Sequence, residues 1–311
     1  MHTGRPHSRG VSGANAAQRL LAQLRVALSG AGLERFPGAR ALYGLVHRVV
    51  FPGGERRVEV HGMPMWVDTR DRVIATQLIG VGEWEPSETS AFLAQLREGM
   101  CVFDVGANIG YYTLLAARTV GPSGRVYAFE PEPRNFDLLT RNVAENGATN
   151  VRLVPAAVSS EAGTVRLHLD DANFGAHSLE ALSVRTRSGR SVEVRAVRLD
   201  DYVDEASGFP AGVLVKVDAQ GAEALIVQGG RRLLARSRVA AVMEIWPEGL
   251  ARARADAGRL LADLEDLGFR FQNIGTAEGE RPFLRPAEIV AACEGRRQSW
   301  ANLLLTKSGA P

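Results

Sequence analysis

Lysine is nearly missing from this chain of 311 residues: only Lys216 and Lys307 occur, and every other basic side chain is arginine. A bias that general reads as compositional background. It discounts arginine clusters as nucleic-acid signals and makes a lysine inside an apolar strand conspicuous. Cysteine is as scarce. Cys101 and Cys293 are too few for a disulfide framework, which fits a reducing, cytoplasmic setting. No run approaches the roughly 18 uninterrupted apolar residues of a membrane-spanning helix. Charge of one sign is lacking too: a net charge of +2 gives no ground for a nucleic-acid or membrane partner. Residues 1–16 lack the apolar core of about 7–15 residues that a secretory signal needs, and read as a disordered tail.

What is present is an ordinary globular composition, 45% hydrophobic and 23% charged. Helical spacing of apolar residues predicts helices over 17–29 and 39–50. Alternation over 56–60 and 63–68 predicts a hairpin closed by His61-Gly62. A helix start is expected near Ser87. Residues 17–98 thus form an N-terminal extension, able to support a homo-oligomer or to cover a substrate, before a larger domain at 99–311.

From residue 100 strands alternate with helices. Apolar runs at 101–105, 125–129, 151–158, 213–218, 239–245, 269–274 and 301–306 are separated by helices at 110–119, 133–146, 221–235 and 255–267. A polar insert, 159–190, carries one strand at 164–169, and 191–199 is an edge strand. The pattern predicts an α/β domain with a mostly parallel sheet covered on both faces.

The stretch CVFDVGANIGYYT, 101–113, carries the chemistry. Asp104 closes a strand, and Gly106 and Gly110 bracket a tight turn into a helix. Glycine at 106 is expected to let backbone approach a ligand, with helix N-terminal amides facing the same space. Glu130, at the end of the next strand, can accept hydrogen bonds from ribose hydroxyls. A dinucleotide site would show Gly-x-Gly-x-x-Gly. Here the middle glycine is absent and an acid precedes the loop, which disfavours diphosphate and a nicotinamide oxidoreductase. The site suits a cationic ligand, the sulfonium and ammonium of S-adenosylmethionine.

The stretches GEWEPSE (82–88), VFDVGANIGYYT (102–113), YAFEPEPRNFDLL (127–139), LVPAAVSSEAGTVRL (153–167), VRLDDYV (197–203), LVKVDAQGAEALIVQGG (214–230) and NLLL (302–305) resemble the FkbM-type methyltransferases. The resemblance implies a Rossmann-like class I methyltransferase fold with a seven-stranded sheet. It also implies S-adenosylmethionine-dependent O-methylation of a small molecule, a sugar or polyketide-type natural product. By the same resemblance Asp104, Gly106, Asn108 and Gly110 line the methionine end and Glu130 holds the ribose. Pro131 shapes the turn, and Ala156 and Ala157 lie near the adenine. Glu85 reaches the amino group or is an exposed helix-start acid. One departure is Asp218-Ala219-Gln220-Gly221, where the family has a carboxylate at the third position.

The acceptor is expected beyond the fourth and fifth core strands. Asp218 ends the fourth, as base or substrate contact, or as the structural partner of Lys216, which strand alternation puts on the same face; Glu223 could equally be that partner. Asp218 and Glu244 are candidate ligands for Mg2+, an expectation weakened by Gln220. His177, in the insert, is a candidate general base; its bland reading is a solvated loop histidine. Trp84, Trp246 and Phe174 could shape an acceptor pocket, although both tryptophans also suit the edge of a core. N-methylation, a macromolecular acceptor and a catalytically silent cofactor-binding protein are the alternatives.

Overall fold

Short apolar runs alternating with amphipathic helices build one large sheet, while the preceding 84 residues fold apart from it. The structure, a computed structural model, describes residues 14–31, 37–171, 173–180, 189–274, 282–294 and 300–307. The expected N-terminal tail lies largely outside these residues. Two compact units meet between Trp84 and Glu85, rather than after residue 98, so the helix near Ser87 belongs to the larger unit.

In the first unit, α1 (Ala16–Ala31) and α2 (Pro37–Val50) precede a hairpin of β1 (Glu55–Val60) and β2 (Met63–Asp68). His61 and Gly62 close the hairpin with φ of 50° and 75°, the left-handed pair that matches strand twist. The short helix α3 (Ile74–Gly80) was not expected, because seven residues are too few to show a helical period. α1 lies so close to α3 that a Cβ on Gly80 would sit 2.3 Å from the Ala22 methyl.

The second unit opens with α4 (Pro86–Gln95) and runs through β3 (Cys101–Val105), α5 (Tyr111–Val120), β4 (Arg125–Phe129), α6 (Pro133–Glu145) and β5 (Val151–Val154). Next come β6 (Ala157–Val158), β7 (Gly163–His168), β8 (Ser191–Val197), a 3-10 turn (Leu199–Tyr202), α7 (Val203–Ala206) and β9 (Val213–Val217). The chain continues with α8 (Glu223–Gly229), α9 (Arg231–Leu234), β10 (Val239–Ile245), α10 (Pro247–Arg252) and α11 (Ala257–Asp266). It ends with β11 (Phe269–Asn273), β12 (Phe283–Leu284), α12 (Pro286–Cys293) and β13 (Ala301–Lys307).

The main sheet has the order β12-β11-β13-β10-β9-β3-β4-β5. The five strands from β5 to β10 are parallel, and β13 runs antiparallel between β10 and β11. Seven strands were expected; the eighth is the two-residue edge strand β12. Every residue of β3 and of β9 is buried, as strands with helices on both faces must be. From β3 the chain winds one way through β4 and β5, then returns to place β9 on the other side. The carboxyl ends of β3 and β9 therefore form a topological switch point, where open α/β sheets bind ligands.

Two further expectations are corrected. The 191–199 strand is not an edge of the main sheet: β8 pairs with β6 and β7 in a separate three-stranded sheet. Its apolar residues alternate: Val194 joins a small cluster with Ala157 and Leu167, and only Val197, at its end, enters the main core. The single helix expected over 221–235 breaks at Gly229-Gly230 into α8 and α9. A Cβ on Gly229 would lie 2.1 Å from the Ser159 carbonyl oxygen, so the glycine permits helix-on-strand contact. Gly229→Ala, with no left-handed φ to relieve, should cost about 1–3 kcal/mol through this overlap alone. Urea unfolding measures it; an unchanged midpoint would show that the backbone yields freely there.

Candidate active site

Asp104 is the fourth residue of β3 and fully buried. Its Oδ2 accepts from the Thr113 hydroxyl at 2.6 Å, one turn into α5. Its Oδ1 is buried and accepts nothing. Burial lifts this carboxyl above the ordinary aspartate value, with Lys216 opposing. A buried oxygen lacking a donor is costly unless a ligand supplies one.

The loop after β3 alternates left-handed residues: Gly106 (φ 81°), Asn108 (φ 50°) and Gly110 (φ 95°). The Gly106 and Ala107 amides both donate to the Phe129 carbonyl at 3.0 Å, tying the loop to the end of β4. A Cβ on Gly106 would meet the Asp218 carbonyl oxygen at 2.1 Å. The missing side chain thus serves contact between the exits of β3 and β9, not the direct ligand approach expected from sequence. At Gly110 a Cβ would meet Leu139 of α6 at 2.8 Å.

Glu130 follows β4 and is buried. Its Oε2 accepts from the Asn108 amide at 2.9 Å and its Oε1 from the Glu132 amide at 2.8 Å. Burial pushes its carboxyl up to about 8, against the pull of those two N–H groups. Each oxygen keeps a further acceptor direction, so the group suits the paired hydroxyls of a ribose. Pro131 spans the turn to Glu132, which caps α6 by accepting from the Asn135 amide at 2.8 Å. Ala156 and Ala157 are both buried, Ala156 in the main core and Ala157 in the small sheet's cluster. Their methyl groups are committed to packing, which leaves backbone alone for an adenine contact.

The insert is stapled across both strand exits. The Phe174 carbonyl accepts from the side-chain amides of Asn108 at 3.0 Å and Asn135 at 2.9 Å. The Ser178 hydroxyl donates to the Gln220 carbonyl at 2.9 Å. His177 is part of this staple. Its Nδ1 accepts from the Asp170 amide at 2.9 Å, and its ring stacks on Phe174 with centroids 6.2 Å apart. Burial lowers its pKa to about 4. A ring held neutral, with Nδ1 occupied, carries its proton on Nε2 and has no free basic nitrogen. The general-base expectation for His177 is corrected to a positioning role.

Lys216 is buried in β9, with Nζ 3.4 Å from Asp218 Oδ2 and 4.5 Å from the centre of the Tyr112 ring. Desolvation pulls its pKa down, but Asp218, Asp104 and Glu85 outweigh it and hold the ammonium above the usual lysine value. Asp218 Oδ1 accepts from the Gln220 side-chain amide at 2.9 Å. A glutamate could not donate there, so the departure at Gln220 supplies what Asp218 needs. The Tyr112 hydroxyl donates to Glu85 Oε2 at 3.1 Å. Burial, then Asp218, pushes Glu85 up to about 8, and the structure groups it with the Lys216–Asp218 end of the site. Its backbone is left-handed (φ 45°) as it caps α4, so it is no ordinary exposed helix-start acid.

Sequence reasoning offered Glu223 only as an alternative partner for Lys216, a place that Asp218 takes. Its Oε1 accepts from the Gly221 amide at 3.0 Å, its Oε2 is buried without a partner, and burial pushes it up to about 7. Glu244 is raised well above the ordinary value by desolvation, then by the negative charges of Asp218, Glu223 and Glu85. Metal ligation by Asp218 and Glu244 is not supported. Among the described residues no three acidic, histidine or cysteine side chains are grouped to hold an ion, and Asp218 is engaged by Lys216 and Gln220. Trp246 caps α10, lies over Gly249, where a Cβ would meet its ring at 2.2 Å, and holds Arg252 5.4 Å from the ring centre. The structure thus gives it a packing role. Trp84 ends the first unit, and its acceptor role stays a proposal.

The site gathers one ammonium and six carboxyl groups, those of Glu85, Asp104, Glu130, Asp218, Glu223 and Glu244, with Glu130 placed for a ribose and one oxygen each of Asp104 and Glu223 left without a donor. These residues fit a nucleoside that bears positive charge. Together with a sheet whose last strand inserts antiparallel between β10 and β11, they define a class I S-adenosylmethionine-dependent methyltransferase. Residues 104–271 match the methyltransferase FkbM domain, more than half of the chain, and the protein belongs to that family. It is 29% identical to methyltransferase sdnD of Sordaria araneosa over 205 residues, 57% of this chain and 76% of that protein. It is 31% identical over 161 residues to 31-O-demethyl-FK506 methyltransferase FkbM of Streptomyces tacrolimicus, covering 43% of this chain and 61% of that one. The crystal structure of methyltransferase FkbM from Methylobacillus flagellatus KT is similar with a TM-score of 0.39 at 14% identity, covering 93% of this chain and 57% of that.

Two outcomes test the cofactor side. Glu130→Ala should weaken S-adenosylmethionine binding by about 1–3 kcal/mol; unchanged affinity would remove its ribose role. Glu85 and Glu130 titrate near 8, so both are largely protonated at pH 7. A sulfonium and a hydrogen-bonded diol favour their ionised forms. Binding should therefore release protons, and affinity should rise with pH up to about 8. Calorimetry in buffers of different ionisation enthalpy reads this, with the neutral thioether S-adenosylhomocysteine releasing fewer. Proton uptake would place these carboxyls away from the ligand.

Proposed function

We propose that the protein O-methylates a hydroxyl of an uncharged small molecule, a sugar or a polyketide-type natural product. The observation that carries this reading is the Lys216–Asp218–Gln220 cluster at the exit of β9, directly against the Gly106 loop. When bound, S-adenosylmethionine supplies an electrophilic methyl on positive sulfur. Asp104, whose Oδ1 lacks a donor, would hold its methionine end and Glu130 its ribose, and the backbone at Ala156 and Ala157 would flank the adenine.

On the acceptor side, Asp218 is the half-buried carboxylate aimed out of the sheet. Lys216 and Gln220 fix its direction, which is worth more than basicity where an alcohol must be held in line with the transferable methyl. Asp218 accepts the hydroxyl proton as the new O–C bond forms. Lys216 reaches the acceptor's other oxygens. Glu85, Glu223 and Glu244 surround the same space, each pushed towards its neutral form by burial, so a phosphorylated or carboxylated acceptor would find no cation there but Lys216, which Asp218 already engages. The name of the Streptomyces relative, 31-O-demethyl-FK506 methyltransferase FkbM, supports O-methylation of a small molecule. The chain spans only 61% of that relative. Nitrogen as the methylated atom is the alternative; the location of the new methyl in the product's NMR spectrum decides it.

Asp218→Asn should lower kcat by about 10²–10⁴ while the cofactor Kd moves little. Turnover near wild type would reduce Asp218 to a partner of Lys216. In a screen of neutral glycosides and macrolides against their phosphorylated counterparts, turnover should be confined to the neutral set and survive EDTA. Loss of turnover in EDTA, restored by Mg2+, would overturn the metal-free reading of the strand ends.

A further inference from the structure

The helix pair of the first unit leaves apolar side chains outside. α1 buries Leu21 and Ala22 with Gln18, and α2 buries His47, while Leu20, Leu24, Leu42, Leu45, Val46 and Val49 face solvent. Leu42, Leu45 and Val49 are 63%, 60% and 77% exposed. The spacing 42, 45, 46, 49 is one continuous helical face. The inward side is fully engaged. His47 Nε2 lies 2.9 Å from the Thr76 hydroxyl oxygen and its ring stacks on Phe51, while Gln18 donates to the Val50 carbonyl at 3.0 Å. The outward leucines are therefore not an unfinished core. A contiguous exposed apolar patch of this kind marks a docking surface.

Charge identifies the occupant. Residues 1–54 hold seven arginines and one acid, Glu34. The remaining residues hold 30 basic and 34 acidic side chains, so the whole-chain value of +2 averages a segment at +6 with a remainder at −4. Arginine is only slightly denser here than elsewhere, about 13% of residues against about 11%, so arginine alone does not explain the imbalance. Acids are missing: an even spread of the chain's 35 would put about six in this segment. Neither α1 nor α2 contains a carboxylate, and Arg19 and Arg48 are exposed beside the leucine face.

We propose that this face docks the protein on an anionic lipid surface, with the apolar residues entering the headgroup boundary and the arginines reaching lipid phosphates. A basic amphipathic helix with exposed leucines is the form such contacts take. Each basic side chain near such a surface adds attraction, screened by salt. A second copy fits less well, because a twofold contact would bring two basic faces together with no carboxylate on either helix to pair them. Among the described residues no helix is long and apolar enough to cross a membrane, so the contact is in-plane. It places the methyl transfer beside a bilayer, where an apolar polyketide-type acceptor concentrates.

The test is flotation of the full chain with vesicles of phosphatidylcholine alone and of phosphatidylcholine with about one-third phosphatidylserine. Binding should be confined to the anionic vesicles and should fall as salt rises. Leu45→Glu with Val49→Glu should reduce it at least tenfold, and Arg48→Glu about tenfold, with circular dichroism and cofactor binding unchanged. These sites are exposed, so the fold should not suffer, and the wild-type comparison of the two vesicle types needs no variant. Absence of binding to anionic vesicles at low salt overturns the proposal. So does a stable dimer in sedimentation equilibrium that Val49→Glu dissociates, which would assign the face to a second copy.

Discussion

Lys216 is the one ammonium set among the carboxyl groups of Asp104, Asp218 and Glu85, and the site's order depends on it. Its methylene stem crosses the apolar interior of the sheet while its charge lies against the Tyr112 ring and Asp218. Removing one partner of a buried pair leaves an uncompensated charge, which costs far more than the pair contributes. The geometry of the acceptor side is thereby coupled to β9 rather than to a loop. Tyr112 carries the link onward to Glu85 and so to the start of α4. Three elements distant in sequence are held in register by one cation.

The insert acts at a second level. Its backbone reaches the glycine loop through Asn108 and Asn135 and the β9 exit through Ser178. Each bond is individually modest, about 0.5–1.5 kcal/mol net, but together they bridge the two halves of the switch point. His177 stabilises the bridge from within as a neutral ring. Histidine's use here is its ability to accept a backbone N–H while stacking on Phe174, with no proton transfer required.

What the sequence made legible follows from range. The alternation of CVFDV, RVYAF and VLVKVD with amphipathic helices depends on local periods, and it yielded the parallel sheet and the strand-end position of Asp104 and Glu130. The hairpin at His61-Gly62 was readable because its turn chemistry is confined to two residues. Contacts across long separations were not. Gly106 looks like a ligand-facing glycine until the Asp218 carbonyl, from a strand more than 100 residues later, is seen pressed against it. His177 and Trp246 carry catalytic-looking side chains whose partners, the Asp170 amide and Gly249, are a few residues away but are brought into place only by loop geometry. Short elements such as α3 and β12 carry too few residues to show any period. The one signal that could have drawn attention to Glu132 was its place before Pro133, an N-cap followed by an N1 proline.

Gln220 shows how one neutral residue alters what such a site can select. With a carboxylate at that position, Asp218 would face a like charge and the strand end would gain another negative group, a setting suited to a divalent ion. The amide instead donates to Asp218, removing the need for a metal to neutralise it. Burial pushes the remaining carboxyls towards their neutral forms, Glu85 up to about 8 and Glu223 up to about 7, where it is still shared between its two forms at neutral pH. An approaching hydroxyl therefore meets carboxyl groups that can donate as well as accept, while an approaching anion forces them to stay protonated or repels them. The uncharged acceptor proposed above would then be selected by desolvation of the strand ends, without a pocket shaped around a particular substrate.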